Sequence, residues 1–227
     1  MKIGILAAMD KEIALLRPLL ENPEEVLIDG RTILKGEIGS HKIALMKCGI
    51  GKVNAALNTY RLIKSYEPDL IINSGVAGGA DPSMHIADVL IAEYAAYHDV
   101  WCGPGTEIGA ADGFTTFLPT DARVIEAAKS HLKRDDIRYV LIVSGDSFIS
   151  KKEEVEIIKK NFPTALACDM ESAAIAHVAA ESKIPFSVIR VVSDTPGEGE
   201  NISQYKNFWT VAPEKTFEAV RTIITNL

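Results

Sequence analysis

Short apolar runs alternate with amphipathic segments along most of the chain. Buried strands are typically about four to eight apolar residues long, whereas amphipathic helices repeat apolar positions every three or four residues. On this basis we predict strands at residues 3–8, 31–34, 41–47, 70–73, 88–96, 139–143 and 184–192. We predict helices at residues 10–20, 53–65, 120–131 (with the cap included), 152–160, 168–180 and 205–226, the last interrupted at Pro213. Residues 22–29 are predicted as a turn and residues 100–117 as a long loop.

This alternation of strands and helices predicts the α/β class. At 227 residues the chain fits one large domain, and neither a repeat nor a linker divides it. We therefore expect a single domain over residues 1–227, built as a three-layer sandwich. In this arrangement helices flank a central mixed, mostly parallel β-sheet.

Charge and hydropathy exclude two classes of partner. The net charge is −7 and the basic residues are scattered, so a polyanion such as nucleic acid is not an expected partner. A membrane helix needs about 20 consecutive apolar residues, and no run of that length occurs, so we expect no membrane partner.

The cysteines favour a reducing compartment. Cys48, Cys102 and Cys168 are few, odd in number and widely spaced. They form no Cys-x-x-Cys pair, and the five histidines are isolated from one another. We therefore expect a cytoplasmic protein with neither a metal nor another cofactor.

Carboxylates stand where predicted strands give way to helices. Glu12 follows the first strand, Asp169 and Glu171 open the helix at 168–180, and Asp194 follows the strand at 184–192. An acid in a first helical turn can simply cap that helix. However, ligands of open α/β sheets bind at the carboxyl ends of the strands, so these acids also predict a site.

Two glycine-containing turns lie at the same predicted edge. Residues 49–51 lead into a helix, and residues 74–79, which include Val76 and Gly78, follow a buried strand. Neither turn has the spacing of a phosphate-binding P-loop. Glycines nevertheless let backbone amides approach a ligand closely, although each turn alone is a weak signal.

Taken together, these stretches closely resemble the 5′-methylthioadenosine/S-adenosylhomocysteine nucleosidase family of the nucleoside phosphorylase superfamily. The resemblance covers nearly the whole chain in register. It rests on Ala8-Met9-Asp10-Lys11-Glu12, Gly49-Ile50-Gly51-Lys52-Val53-Asn54-Ala55-Ala56, Asn73-Ser74-Gly75-Val76-Ala77-Gly78-Gly79, Ser144-Gly145-Asp146-Ser147-Phe148-Ile149, Asp169-Met170-Glu171-Ser172-Ala173-Ala174-Ile175-Ala176-His177-Val178 and Arg190-Val191-Val192-Ser193-Asp194.

The resemblance implies hydrolysis of the N-glycosidic bond of 5′-methylthioadenosine, S-adenosylhomocysteine and 5′-deoxyadenosine, releasing adenine. Asp194 matches the acid that protonates the purine N7, with Ser193 beside it to orient the carboxyl group. Burial or a neighbouring negative charge would have to raise the pKa of such an acid. Glu12 matches the base that activates the attacking water.

The resemblance also implies which residues bind the ribose. Glu171 matches the carboxylate that binds the ribose hydroxyls and stabilises an oxocarbenium-like transition state. Arg190 would pair with Glu171, and Met170 would lie under the ribose.

The remaining binding residues follow from the same resemblance. Phe148 would stack on adenine while the backbone of Ile149 contacts the edge of the base. Met9, Ile50 and an aromatic residue of the last helix, either Tyr205 or Phe208, would line an apolar pocket for the 5′-alkylthio group. A homodimer is also implied, with the loop around Trp101 near the partner's site.

Two departures from the family concern specificity. Val76 stands where the family usually has a hydroxyl residue, and the loop at 100–113 differs from that of the better-known members. Either change could alter the preference between methylthioadenosine and the bulkier homocysteine nucleoside.

Three alternative functions stay open. A phosphorolytic transferase of the same fold is disfavoured because the carboxylate of Glu12, with no arginine expected near it, would repel phosphate. A hydrolase of another purine nucleoside, such as futalosine, is compatible with Asp194. A non-enzymatic nucleoside sensor would not need Glu12, Glu171 and Asp194 together.

Overall fold

The computed structural model describes residues 1–28, 30–196, 200–211 and 214–227. Its strands are β1 (Lys2–Ala7), β2 (Glu21–Ile28), β3 (Arg31–Ile38), β4 (His41–Lys47), β5 (Leu70–Gly79), β6 (Val89–Tyr97), β7 (Leu118–Pro119), β8 (Ile137–Ser144), β9 (Ala165–Asp169) and β10 (Phe186–Asp194). Its helices are α1 (Asp10–Leu16), α2 (Lys52–Tyr66), α3 (Ala122–His131), α4 (Lys152–Asn161), α5 (Ser172–Glu181), α6 (Asn201–Val211) and α7 (Glu214–Thr225), and a 3₁₀ turn at Arg17–Leu19 follows α1.

The ten strands form one mixed sheet. Strand β1 pairs in parallel with β4 and β5, and β8 pairs in parallel with β6 and β9. Among the described residues the strand pairings are parallel in five cases and antiparallel in five. The prediction of a mostly parallel sheet was therefore wrong, because sequence patterns do not reveal the direction of long-range pairing.

Part of this sheet closes on itself. Strands β5, β10, β6, β8 and β9 follow one another around a ring, and β9 returns to β5 through the pairs Gly78–Cys168 and Gly79–Ala167. A closed ring is a small barrel, and strands β1, β4, β3 and β2 extend it as an open wing. The predicted plain three-layer sandwich was thus wrong in its sheet, although the α/β class is confirmed.

The two largest apolar clusters among the described residues lie against the sheet. One contains buried residues of α2 and α5, among them Leu62 and Ile175, and the other contains buried residues of α1, α3 and α7, among them Leu16, Val124 and Ile223. Helix α5 packs closely because small side chains fill its buried face: Ala173, Ala174, Ala176 and Ala179. The layers hold the strand ends of the ring in fixed relation to one another.

Two segments differ from the sequence prediction. Residues 21–28 form an edge strand rather than a turn, with Val26 opposite Ile33 and a bulge between Glu21 and Glu24 that accommodates Pro23. Residue 29 lies outside the described part of the chain. The charged, exposed sequence of β2 hid its strand character, as is common for edge strands.

The second difference concerns the helix predicted at 168–180. Cys168 and Asp169 belong to β9, where they pair with Val143 and Ser144 of β8, and the helix begins only at Ser172. Asp169 and Glu171 therefore precede the first turn of α5 instead of lying in it.

The final helix is described as two helices, α6 and α7. The predicted break at Pro213 lies outside the described residues. Residues 100–117 contain neither helix nor strand, as predicted. No helix in the described part of the chain is long and apolar enough to cross a membrane.

Candidate active site

The carboxyl-terminal ends of β1, β5, β9 and β10 surround one cleft of about 590 Å³, its open mouth included. It brings together every residue predicted for the site except Phe208. Those residues are Met9, Glu12, Ile50, Val76, Gly78, Phe148, Ile149, Met170, Glu171, Arg190, Ser193, Asp194 and Tyr205.

Glu12 lies at the base of the cleft and is fully buried. Its Oε2 accepts hydrogen bonds from the backbone amides of Ala8 (2.7 Å) and Met9 (2.9 Å), and its Oε1 accepts one from Val76 N–H (2.9 Å). Burial raises the pKa of Glu12, although Arg190 and these three amides partly oppose the shift. The carboxylate thus both closes the turn before α1 and faces the cleft.

Gly75 makes room for this carboxylate. A Cβ atom at this position would lie 2.2 Å from Glu12 Oε1, and the φ angle of +153° disfavours any other residue. The glycine of this motif is therefore required by the close approach of Glu12 to β5.

Glu171 stands at the N-cap position of α5. Its Oε2 accepts a hydrogen bond from Arg190 Nη2 (3.1 Å), and its Oε1 accepts one from Gly51 N–H (3.0 Å). The expected pairing with Arg190 is therefore present. Burial raises the pKa of Glu171, while Arg190 opposes that shift and the nearby Asp169 adds to it.

Asp169 is a buried member of the site whose role the sequence did not reveal. Its Oδ2 lies 2.8 Å from Arg190 Nη2, and its Oδ1 accepts a hydrogen bond from Ser144 Oγ at 2.5 Å. It also accepts bonds from the backbone N–H and the hydroxyl of Ser172, which opens α5. Asp169 thus joins β8, β9 and α5 beneath the cleft.

Every nitrogen of the Arg190 guanidinium group has an acceptor in the protein. Nη1 donates to Val76 O (2.6 Å), Nη2 donates to Asn73 Oδ1 (2.7 Å) and to Glu171, and Nε donates to Asn73 Oδ1 (3.2 Å). We had expected no arginine near Glu12, and this was wrong: Arg190 lowers the pKa of the buried Glu12 as well as that of Glu171. Asn73 and Ser172 were missed because only their long-range hydrogen bonds place them in the site.

Asp194 ends β10 at an irregularity of the sheet. The register of β10 against β5 shifts between Val192 and Asp194, so that Asp194 lies opposite Gly78. Such bulges re-aim a side chain. Ser193 Oγ donates to Asp194 Oδ1 at 2.6 Å, yet burial dominates and raises the pKa of Asp194 against the hydrogen bonds from Ser193 and Asn201.

Apolar side chains form the mouth of the cleft. The Tyr205 hydroxyl donates to Met9 Sδ (3.3 Å), and its ring meets Phe148 edge-on at 5.5 Å between centroids. Phe208 instead packs behind the cleft against Val76, so of the two candidate aromatics Tyr205 faces the site. Trp101 is 60% exposed and does not line the cleft.

Metal ligation is not indicated by the side chains. In residues 1–28, 30–196, 200–211 and 214–227, no group of three or more histidine, cysteine, aspartate or glutamate residues could hold a metal ion.

The chain matches the family model of the phosphorylase superfamily over residues 2–225. Solved structures agree with this match. The nucleosidase for 5′-methylthioadenosine and S-adenosylhomocysteine from Neisseria meningitidis, in complex with methylthio-immucillin-A, is 34% identical with a TM-score of 0.94, covering 100% of this chain and 99% of that chain. The Streptococcus pneumoniae enzyme in complex with 8-aminoadenine is also 34% identical, with a TM-score of 0.94 and 100% of both chains covered.

A third relative has another activity. The futalosine hydrolase of Helicobacter pylori is 28% identical with a TM-score of 0.92, covering 100% of this chain and 98% of that chain. The nucleosidases share more residues with this chain over the same full length. The chain belongs to the phosphorylase superfamily, in the family of the 5′-methylthioadenosine/S-adenosylhomocysteine nucleosidases.

Proposed function

We propose that this protein hydrolyses the N-glycosidic bond of 5′-methylthioadenosine and S-adenosylhomocysteine, and that of 5′-deoxyadenosine. The products are adenine and the corresponding ribose. One observation carries the proposal: a buried acid, two buried carboxylates and a fully engaged arginine meet in a single apolar cleft. That combination suits the departure of a purine from a sugar that becomes positively charged.

Asp194 supplies the proton to the leaving group. Adenine leaves poorly as an anion, so N7 must be protonated as the bond breaks. Burial raises the pKa of Asp194, which favours the protonated acid in the free enzyme. The Ser193 hydroxyl at 2.6 Å orients the carboxyl group and accommodates the charge left behind.

Glu171 acts on the sugar. Its carboxylate accepts hydrogen bonds from the ribose hydroxyls and stabilises the oxocarbenium-like charge, since fixed negative charge in a dry site lowers the energy of a developing cation. Arg190 and Gly51 N–H keep its orientation. Met170 packs under the ribose from the wall of the cleft.

Glu12 binds and activates the attacking water. Phosphate would instead need free cationic donors, but each nitrogen of Arg190 already donates within the protein. The buried carboxylate of Glu12 would also repel an anion. Both features support hydrolysis over phosphorolysis.

The apolar mouth binds the two ends of the substrate. Phe148 stacks on adenine, and the backbone of Ile149 contacts its edge. Met9, Ile50 and Tyr205 surround the 5′-alkylthio group. Val76 belongs to an apolar cluster with Phe208 and Val191, so it contributes no hydroxyl contact to the water or the ribose.

A homodimer is the proposed assembly. Val53, Leu57 and Tyr60 form an exposed stripe along α2, with exposed fractions of 77%, 46% and 53%. Ile50, itself 50% exposed, continues this stripe into the cleft. A second copy on this surface, with its loop around Trp101, would cover apolar area and complete the mouth. Light scattering of wild type and of Val53→Asp tests this: a dimer lost in the variant is expected, whereas a monomeric wild type would overturn the assembly.

Residues 1–227 are proposed to act as one domain, which the family match over residues 2–225 supports. A reducing cytoplasmic compartment is proposed as well. The exposed free thiol of Cys102 supports it, because exposed thiols persist where disulfides do not form.

Product analysis tests the reaction directly. With 5′-methylthioadenosine we expect free adenine and methylthioribose, both in phosphate-free buffer and with added phosphate. Product only with phosphate, as the sugar 1-phosphate, would make the protein a transferase. Futalosine is the second candidate substrate because of the Helicobacter pylori relative. Turnover of futalosine in place of methylthioadenosine would assign that activity instead.

A further inference from the structure

Three charged residues next to the cleft form a closed cycle of hydrogen bonds. Lys52 N–H donates to Asp146 Oδ1 (2.7 Å), and Asp146 N–H donates to Asp99 Oδ2 (2.9 Å). Lys52 Nζ completes the cycle by donating to both Asp99 oxygens, at 2.8 and 2.7 Å. The cycle joins the start of α2, the segment after β6 and the loop after β8.

Two sides of this cycle continue directly into the cleft. Gly51, next to Lys52, donates its N–H to Glu171. Ser147 and Phe148, which follow Asp146, line the opposite wall. The contact between the two loops is tight, because a Cβ atom on Gly51 would lie 3.1 Å from Asp146 Oδ1. The cycle therefore fixes the distance between the residue proposed for the ribose and the residue proposed for the base.

We propose that Asp99 is a positioning residue for the reaction: by bridging Lys52 and Asp146 it holds the 49–52 loop and the 145–149 loop in catalytic register. This inference rests on the proposed nucleosidase function. Asp99 itself does not line the cleft, so it acts through Gly51 and Phe148.

The surroundings of Asp99 favour its ionised form. Burial alone would raise the pKa of Asp99, but hydrogen bonds from Lys52 and Asp146 N–H outweigh it and lower the pKa. The carboxylate is thus ionised at neutral pH. Both side chains are partly shielded, with exposed fractions of 22% for Lys52 and 30% for Asp99, so water weakens the pair less than at an open surface.

The matched control is a second lysine–aspartate pair. Lys159 Nζ lies 2.7 Å from Asp81 Oδ2, with exposed fractions of 27% and 24%, and neither residue lines the cleft.

The decisive comparison is Asp99→Asn against Asp81→Asn. Asparagine keeps the shape but replaces one acceptor of the Lys52 ammonium group with an amide donor. We expect kcat/KM for 5′-methylthioadenosine to fall about 10- to 100-fold in Asp99→Asn, because small misplacements of reacting groups cause losses of this size. Asp81→Asn should retain the wild-type value.

A pH profile separates positioning from mere loss of stability. The groups that face Glu171 are Arg190, Asp169, Glu12, Cys48 and the Gly51 amide. The Gly51 N–H lowers the pKa of Glu171, so a displaced Gly51 raises it. Because Glu171 must be ionised to act, the ascending limb of kcat/KM in Asp99→Asn should move to higher pH. That limb should be unchanged in Asp81→Asn.

Lys52 variants keep the inference testable if Asp99→Asn is poorly folded. Lys52→Arg preserves the charge and should retain most activity, whereas Lys52→Met should lose about as much as Asp99→Asn. The double variant should lose no more than the worse single one, since both act through one cycle. Additive losses, or equal behaviour of Asp99→Asn and Asp81→Asn, would overturn the positioning role. Failure of the wild type to release adenine in the same assay would instead overturn the nucleosidase function together with this role.

Discussion

The floor and the rim of the cleft differ in burial and in hydrogen bonding. The carboxylate floor, which we define as Glu12, Asp169, Glu171 and Arg190, is buried and bound by hydrogen bonds to strands, helices and backbone amides. The apolar rim is defined as Met9, Ile50, Phe148 and Tyr205; the first three lie in separate loops and Tyr205 lies in α6. Phe148 is 47% exposed, whereas Arg190 is 1% exposed.

The difference separates the chemistry from the recognition. Preorganised charge in a dry environment stabilises a transition state without reorganising, so the floor has to be rigid and fully paired. The rim only has to exclude water from apolar parts of a ligand and can tolerate exposed side chains. Changes in the floor should therefore affect turnover and folding, and changes in the rim should affect affinity.

Arg190→Met should give the largest effect, because it leaves three buried carboxylates without their nearest cation. Breaking a buried ion pair typically costs about 3–5 kcal/mol of unfolding free energy. Without Arg190 the pKa values of Glu12 and Glu171 should rise further, so the destabilisation should be smaller at about pH 5 than at about pH 8. Urea unfolding at both pH values measures it. Arg17→Met removes an exposed pair with Glu25 and should cost only about 0–1 kcal/mol; equal losses in the two variants would contradict the role of the floor.

Asp194→Asn should follow, with turnover reduced about 10³-fold, since a general acid contributes roughly 10²–10⁴-fold. The amide cannot donate the N7 proton in the same way, but it preserves the shape of the cleft. Steady-state kinetics should show the loss in kcat, while calorimetry should show nucleoside binding largely intact. Full activity in this variant would remove Asp194 from its proposed role.

Phe148→Ala should test the rim. Stacking of a base on an aromatic ring is worth about 1–3 kcal/mol, so KM should rise about 5- to 150-fold. The value of kcat should change little, because the contact is the same in the ground state and in the transition state. Phe117→Ala is the control, since Phe117 is 46% exposed and lies outside the cleft. A loss confined to kcat would show that the rim takes part in the chemistry.

Ser193→Ala should give the smallest effect, a shift in pH dependence. The Ser193 hydroxyl lowers the pKa of Asp194, so its removal should raise that pKa further. Asp194 then stays protonated to higher pH, and the descending limb of kcat/KM should move to higher pH. Ser187→Ala on the same strand is the matched control, because Ser187 Oγ has no hydrogen-bond partner among the residues that the structure describes. A downward shift would contradict the assignment.

Elements set by local patterns were predictable. Strand β4 has the predicted bounds, and Asp121 caps α3 through a hydrogen bond from Arg123 N–H, as its position before the apolar repeat indicated. Periodicity and capping depend on residues only a few positions apart, so both can be recognised directly in the sequence.

Elements whose structure depends on distant pairing partners could not be predicted from the sequence. Residues 168–169 were included in a predicted helix because small apolar residues follow them, yet they pair as a strand with residues of β8 and β5. For the same reason, only some of the residues at the base of the cleft could be predicted from the sequence. Glu12 and Glu171 stood out as acids in family register, whereas Asn73 contributes to the site only through its long-range hydrogen bond to Arg190.

The closure of the five-stranded ring has a consequence for folding. The pairs Gly78–Cys168 and Gly79–Ala167 join segments far apart in the chain, and we expect such contacts to form late because a large loop must first be closed. Gly78 and Cys168 also line the cleft. A chain that has not closed its ring should therefore lack the complete cleft, and we expect adenine release during refolding to follow ring closure rather than the first appearance of secondary structure.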